Sequence, residues 1–436
     1  MNARLEKLLN VVEKSNAYRF CGKVDQVVGV VIESIGPSAT VGDLCWITTE
    51  KKERQLAEVV GLRQNKVLLM PLGDLEGISC SSEVVASREP FSIPVGNHLL
   101  GRVINGLGQP IDGKGPLLST DKRSIQASPP DPLSRKRITQ PISTGIRAID
   151  GCITCGEGQR VGIFAGSGVG KSVLLGMIAR NTEADVNVIG LIGERGREVR
   201  EFIEKDLGEE GLKRSVVVVV TSDQAAILRI KGALVATTIA EFFRDQGKRV
   251  MLMMDSVTRI AMAQREIGLA VGEPPTTKGY TPSVFTLLPK VLERAGNGAE
   301  GSITGLYTVL VESDDMNEPI ADAVRSILDG HIVLARRLAS MNHYPAIDVL
   351  ESVSRVAKDI ITKDHMHATQ HMLENLATYR EAEDLINIGA YAKGSNPRID
   401  RAIALNNDIR SFLRQAIEEK SDLKQTVDRM VKLNKR

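Results

Sequence analysis

The nine residues Phe164-Ala165-Gly166-Ser167-Gly168-Val169-Gly170-Lys171-Ser172 decide how the rest of this 436-residue chain is read. An apolar run, Arg160-Val161-Gly162-Ile163-Phe164, leads into them, and a helix-forming stretch leads out. Three closely spaced glycines let the backbone fold so that successive N–H groups face inward onto phosphate oxygens, and the following helix adds the positive end of its dipole. In such a loop Gly166, Ser167, Gly168, Val169 and Gly170 cradle the phosphates, Lys171 reaches the β/γ-phosphates and the Ser172 hydroxyl ligates Mg²⁺. The usual opening glycine is replaced by Ala165, but Gly166 follows at once and the closing Gly-Lys-Ser is intact.

Outward from the loop, between about 140 and 350, apolar runs alternate with helical stretches: Val186 to Ile192, Ser215 to Val220, Val250 to Met254 and Leu306 to Val311. Near-continuous apolar strands are buried on both faces, which predicts a mainly parallel sheet covered by helices. Ligands sit at the carboxyl ends of such strands. Asp255 closes one of these runs, read as a strand neighbouring the loop strand, and is expected to hold the Mg²⁺ shell; a helix N-cap role before Ser256-Val257-Thr258-Arg259 competes and is compatible. Glu194 follows another run and is expected to serve as catalytic base or water-positioner at a γ-phosphate. Nearby Glu198, Glu201 and Glu204 read instead as a solvated helical face.

Upstream, Leu5, Leu8, Leu9 and Val12 form an apolar stripe on a short helix that needs a surface to lie against, its own domain or a partner. From about Cys21 to Val85, short β-rich runs, Val27 to Ile32, Cys45 to Ile47 and Lys66 to Met70, separated by Gly and Pro predict a small barrel. The Gly/Pro-rich segment from Gly101 to Pro132 reads as an ordered crossover, because Val103, Ile104 and Ile111 are regularly spaced. Beyond about 350 the chain is helical and increasingly charged. The expected divisions are 1–17 for the amphipathic helix, 18–92 for the barrel, 93–350 for the phosphate-loop domain and 351–436 for the helical part.

Fifty-six Lys+Arg against 54 Asp+Glu leave a formal net charge of +2, which argues against a strongly basic nucleic-acid binder and an acidic disordered chain. Aromatics are only 3% of residues, too few for a platform on which single-strand bases stack. Five cysteines, all within the first 155 residues, do not make a secreted disulfide framework and fit a reducing cytoplasm. No stretch approaches the roughly 20 apolar residues of a membrane span, and the charged N-terminus has no signal-peptide pattern. Cys152 and Cys155 have metal-site spacing without a second pair, so a structural role is expected. His367 and His371 share a helix face near His365, but no Glu lies between them and the zinc-protease pattern fails.

Several separated motifs now carry a resemblance: Thr144-Gly145-Ile146-Arg147-Ala148-Ile149-Asp150-Gly151, the phosphate loop, Gly193-Glu194-Arg195, Met254 to Arg259, and Pro345-Ala346-Ile347-Asp348-Val349-Leu350-Glu351-Ser352-Val353-Ser354-Arg355. Over nearly its whole length the chain resembles the hexameric ATPases related to the catalytic subunit of rotary ATP synthases, and within them the flagellar type III protein-export ATPases. Pro274 to Gly296 looks like the export branch, and Asn317 to Arg325 resembles the flagellar more than the virulence-secretion ATPases. The resemblance implies an α/β, RecA-like P-loop ATPase core after an N-terminal β-barrel and before a C-terminal α-helical domain, using ATP and Mg²⁺. It implies that Arg355 is an arginine finger reaching a neighbour's γ-phosphate and that Tyr344 packs on adenine. Lys171, Arg195, Arg259 and Arg355 are then expected to converge on one triphosphate. It further implies a homohexamer, a stator-like regulatory protein on the N-terminal helix, export chaperones and flagellar substrates, a membrane export gate, no nucleic acid, and a cytoplasmic place at the inner membrane of the flagellar base. A virulence secretion ATPase, a rotary synthase catalytic subunit, a hexameric RNA translocase and a degenerate scaffold are the alternatives.

Overall fold

Alternating burial shapes the N-terminal region. In the computed structural model, which describes residues 21–311 and 315–434, strands Cys21–Val28, Val31–Ile35, Leu44–Thr48, Arg54–Arg63, Lys66–Pro71 and Glu83–Ala86 close into a six-stranded barrel. The amphipathic helix expected over 1–17 lies outside the described residues. Val24, Ile32, Cys45, Ile47, Val59, Leu69 and Val84 point inward and form the barrel's own core, as a period of two requires. The run Val27 to Ile32, expected as one strand, is a hairpin: Gly29 takes φ +59°, and Val28 pairs with Val31. A two-residue turn needs that positive φ, which glycine adopts without strain. The described residues up to Phe91, with Glu266–Pro274, make one compact unit; Ser92–Arg265 and the chain from Pro275 onward make the other.

The second unit is built on a central sheet with strands in the order Ile347–Ser354, Gly330–Leu334, Arg160–Ala165, Ser302–Leu310, Arg249–Asp255, Val186–Glu194, Ser215–Thr221 and Val103–Asn105. Neighbours along this path pair in parallel except Ile347–Ser354, which runs antiparallel at one edge. The Gly/Pro-rich crossover is ordered, since Val103–Asn105 pairs with Val217 to Val219 and closes the opposite edge. The apolar runs are buried on both faces: Val186 to Gly193 and Ser215 to Val220 are buried throughout. The edge strand continues to Ser354, so the helical part starts at Ala357. Helices Lys363–Asn387, Pro397–Leu413 and Leu423–Asn434 bring Met372, Phe412 and Met430 into the core that also holds Ile149 and Ile153. No helix among the described residues is long and apolar enough to cross a membrane.

Candidate active site

The phosphate loop leaves the carboxyl end of Arg160–Ala165, and helix Lys171–Asn181 starts directly behind it. Val169 is buried and pins the loop, while Ser167 and Gly168 are exposed and Lys171 and Ser172 are half-buried at the helix start. Gly168 and Gly170 stand at φ +79° and +89°. A side chain on Gly170 would also come within 3.5 Å of the Tyr344 ring, so the loop and this aromatic lie side by side.

Two further strand ends deliver the carboxylates. Lys171 Nζ donates to Asp255 Oδ1 at the end of Arg249–Asp255, and lies 3.6 Å from Glu194 Oε1 at the end of Val186–Glu194. Burial disfavours the Lys171 ammonium, but Asp255 and Glu194 outweigh it and its pKa is raised. Burial, then the charge of Asp255, push the Glu194 carboxyl up to about 7, with Lys171 opposing. A carboxylate poised near neutrality suits a general base. The Arg259 stem packs over Gly193, where φ is +75°, and so supports the backbone that carries Glu194.

The sequence placed Asp255 on a strand neighbouring the loop strand; one strand, Ser302–Leu310, intervenes. That strand supplies Thr308, whose Oγ1 donates to Asp255 Oδ1 at 2.7 Å in a fully buried position. Sequence reading missed this residue, although a hydroxyl inside an apolar run is a visible signal. It also missed Gln415, whose backbone N–H donates to the Tyr344 carbonyl at 3.0 Å and whose side chain bonds Gly145 O and Arg147 N. Nothing local marks Gln415, because its side-chain partners Gly145 and Arg147 lie 270 and 268 residues away.

Tyr344 is 42% exposed beside the loop. Arg355 is exposed at the other end of the edge strand that follows Tyr344; its N–H donates to Asp329 O, and Asp329 N–H to Arg160 O. Arg160 begins the loop strand, so Arg355 is separated from the phosphate loop by that strand's length, roughly 17 Å at 3.3 Å per residue. Of the four cations expected at one triphosphate, Arg355 therefore stands away from its own chain's loop. Arg195 is exposed and pairs with Glu198 at 3.5 Å.

Hard oxygen donors, the Asp255 carboxylate at the Lys171 ammonium and the hydroxyl of the next residue, Ser172, suit Mg²⁺ completed by phosphate oxygens and water. Among the described residues no group of three or more His, Cys, Asp and Glu could hold a metal by itself. Burial pushes the Cys152 and Cys155 thiols up to about 12, and His365 Nε2 is tied to Gly151 O at 2.8 Å.

A phosphate loop on a mainly parallel sheet, carboxylates from two other strand ends and a barrel unit of its own define a P-loop ATPase of the rotary-ATPase class. Residues 24–88 match the ATP synthase alpha/beta family, beta-barrel domain; 145–354 match its nucleotide-binding domain; 361–432 match the T3SS EscN ATPase C-terminal domain. The chain is 54% identical over 432 residues to the flagellum-specific ATP synthase of Bacillus subtilis, covering 99% of each, and 51% identical to the type 3 secretion system ATPase of Xanthomonas euvesicatoria, covering 98% and 96%. The structure of the assembled ATPase EscN from enteropathogenic E. coli superposes with a TM-score of 0.90 at 48% identity, covering 94% of this chain and 99% of that one. EscN in complex with its central stalk EscO gives 0.87 at 47% identity, with the same coverage.

The chain belongs to the ATP synthase alpha/beta family, in the branch of the flagellum-specific and type 3 secretion ATPases. It is an ATPase and works with ATP and Mg²⁺.

Proposed function

We propose that this chain is the ring-forming ATPase of a flagellar type III export apparatus, coupling ATP hydrolysis to release of substrates from chaperones and to their export. In this reading Lys171 binds the β/γ-phosphates, Ser172 and Asp255 hold Mg²⁺, Glu194 takes a proton from the attacking water, and Tyr344 packs on adenine. The backbone of residues 166–170 cradles the phosphates. Bound Mg²⁺ neutralises phosphate charge. The observation that carries the reading is that Lys171 from a helix start and Asp255 and Glu194 from two strand ends meet at one point, while Arg355 lies at the far end of the sheet. A finger so placed serves a neighbouring copy, which supports a ring, with six copies expected from the family. The assembled EscN and its EscO stalk support an oligomer with a stalk partner for this chain too.

Residues 1–17 would dock a stator-like regulator, and the ring would work in the cytoplasm against a membrane export gate at the flagellar base, with no nucleic acid involved. The similarity to the Xanthomonas relative favours a virulence secretion ATPase as the second reading. Co-expressing the Glu194→Gln chain with wild type separates them. Secretion of filament protein should fall at least in proportion to the mutant's share of subunits, because each Glu194→Gln chain inactivates the site that its own loop carries. Undiminished filament secretion at equal expression would overturn the flagellar assignment.

A further inference from the structure

We propose that Thr308 is a positioning residue for the metal site: its hydroxyl fixes the carboxylate of Asp255 in the orientation that Mg²⁺ binding requires. The inference rests on the reading of Asp255 as the metal-shell carboxylate. Two donors take Asp255 Oδ1, the Lys171 ammonium and the Thr308 hydroxyl at 2.7 Å. They differ in constancy. Lys171 also faces Glu194 at 3.6 Å, and its ammonium is the group expected to turn to the phosphates. Thr308 has no comparable rival: the other acceptor near its hydroxyl, Met254 O, is farther at 3.3 Å.

The scaffold around Thr308 is stiff. Its strand lies between the loop strand and the Asp255 strand, with Thr308 in register with Ile163 and Tyr307 with Met254. The residue is fully buried and β-branched, so its rotamer is held by packing on both sides. A carboxylate bonded at one oxygen by a fixed hydroxyl has lost its rotational freedom before any cation arrives. When Lys171 turns to phosphate, Thr308 is the donor that keeps Asp255 in place.

The test is calorimetric binding of a non-hydrolysable ATP analogue to the full chain, titrated with Mg²⁺. Removing a charge-assisted hydrogen bond should raise the half-saturating Mg²⁺ concentration about tenfold in Thr308→Val, while Mg²⁺-free analogue affinity stays at the wild-type level. Thr308→Ser, which keeps the hydroxyl, should behave as wild type. Wild-type Mg²⁺ dependence in Thr308→Val overturns the proposal. So does an equal loss in Thr308→Ser, because the methyl group would then be what matters. Should Thr308→Val unfold, Thr308→Cys, near-isosteric and only a weak donor, takes its place under the same criteria. Asp255→Asn run in parallel tells two failures apart. No effect there removes the Asp255 assignment itself; an effect there with none in Thr308→Val removes Thr308 alone.

Discussion

The two ends of the central sheet use buried charge in opposite ways. At the carboxyl ends of the strands one ammonium, Lys171, is shared by two carboxylates, and Glu194 is pushed up to about 7 as a result of burial and the charge of Asp255. At the opposite end, Arg294 meets Glu241 through two bonds of 2.8 and 2.6 Å and also bonds Thr238 and Ile125 O. Beside it Arg160 pairs with Asp329 and Glu293; burial lowers its pKa, but the two carboxylates prevail and hold it above the usual value. Matched buried charges lock a structure, and unmatched ones remain available to a ligand. Arg355 breaks this division, because it stands exposed on the locked end.

The sharpest way to break the comparison is to separate the two ends genetically. Lys171→Ala alone and Arg355→Ala alone should each lose about 10³-fold or more in turnover. Mixing the two before assembly should restore part of it, since some sites then pair an intact loop with a neighbour's intact finger. No recovery in mixed oligomers, measured by phosphate release, would remove the neighbour assignment.

The locked end predicts a loss of stability in place of a loss of chemistry. Glu241→Ala leaves the Arg294 guanidinium buried without its carboxylate, at a cost of about 3–5 kcal/mol in denaturant unfolding. Turnover per folded molecule should hold near wild type; a fall as large as that of Lys171→Ala would erase the contrast.

The smallest expected effect is one of pH. Glu194 must be deprotonated to accept a proton, and its carboxyl titrates at about 7. The value of kcat/KM should therefore rise as pH increases through about 7 and level off above it. A profile flat across that range would sharpen the role of Glu194 to water-positioning without proton transfer.

Much of this site was legible along the chain. The phosphate loop is contiguous, so Lys171 and Ser172 follow from local geometry. That Glu194 and Asp255 come together at Lys171 was legible because each ends an apolar run and strand ends converge in parallel sheets. The barrel was legible from its short alternating strands, although the hairpin at Gly29 was hidden inside one apolar run.

Sequence alone thus determined the elements and the chemistry each strand end carries, because propensity, periodicity and a contiguous loop are local properties. Strand order and direction are long-range properties, and only the tertiary structure decided them. By inserting Ser302–Leu310 between the loop and Asp255 it brought Thr308 to the carboxylate. By reversing Ile347–Ser354 it set Tyr344 beside its own phosphate loop and sent Arg355, eleven positions on, to the other end of the sheet. One antiparallel edge strand thereby divides the two residues, the aromatic beside its own chain's phosphate loop and the arginine a strand's length away from it.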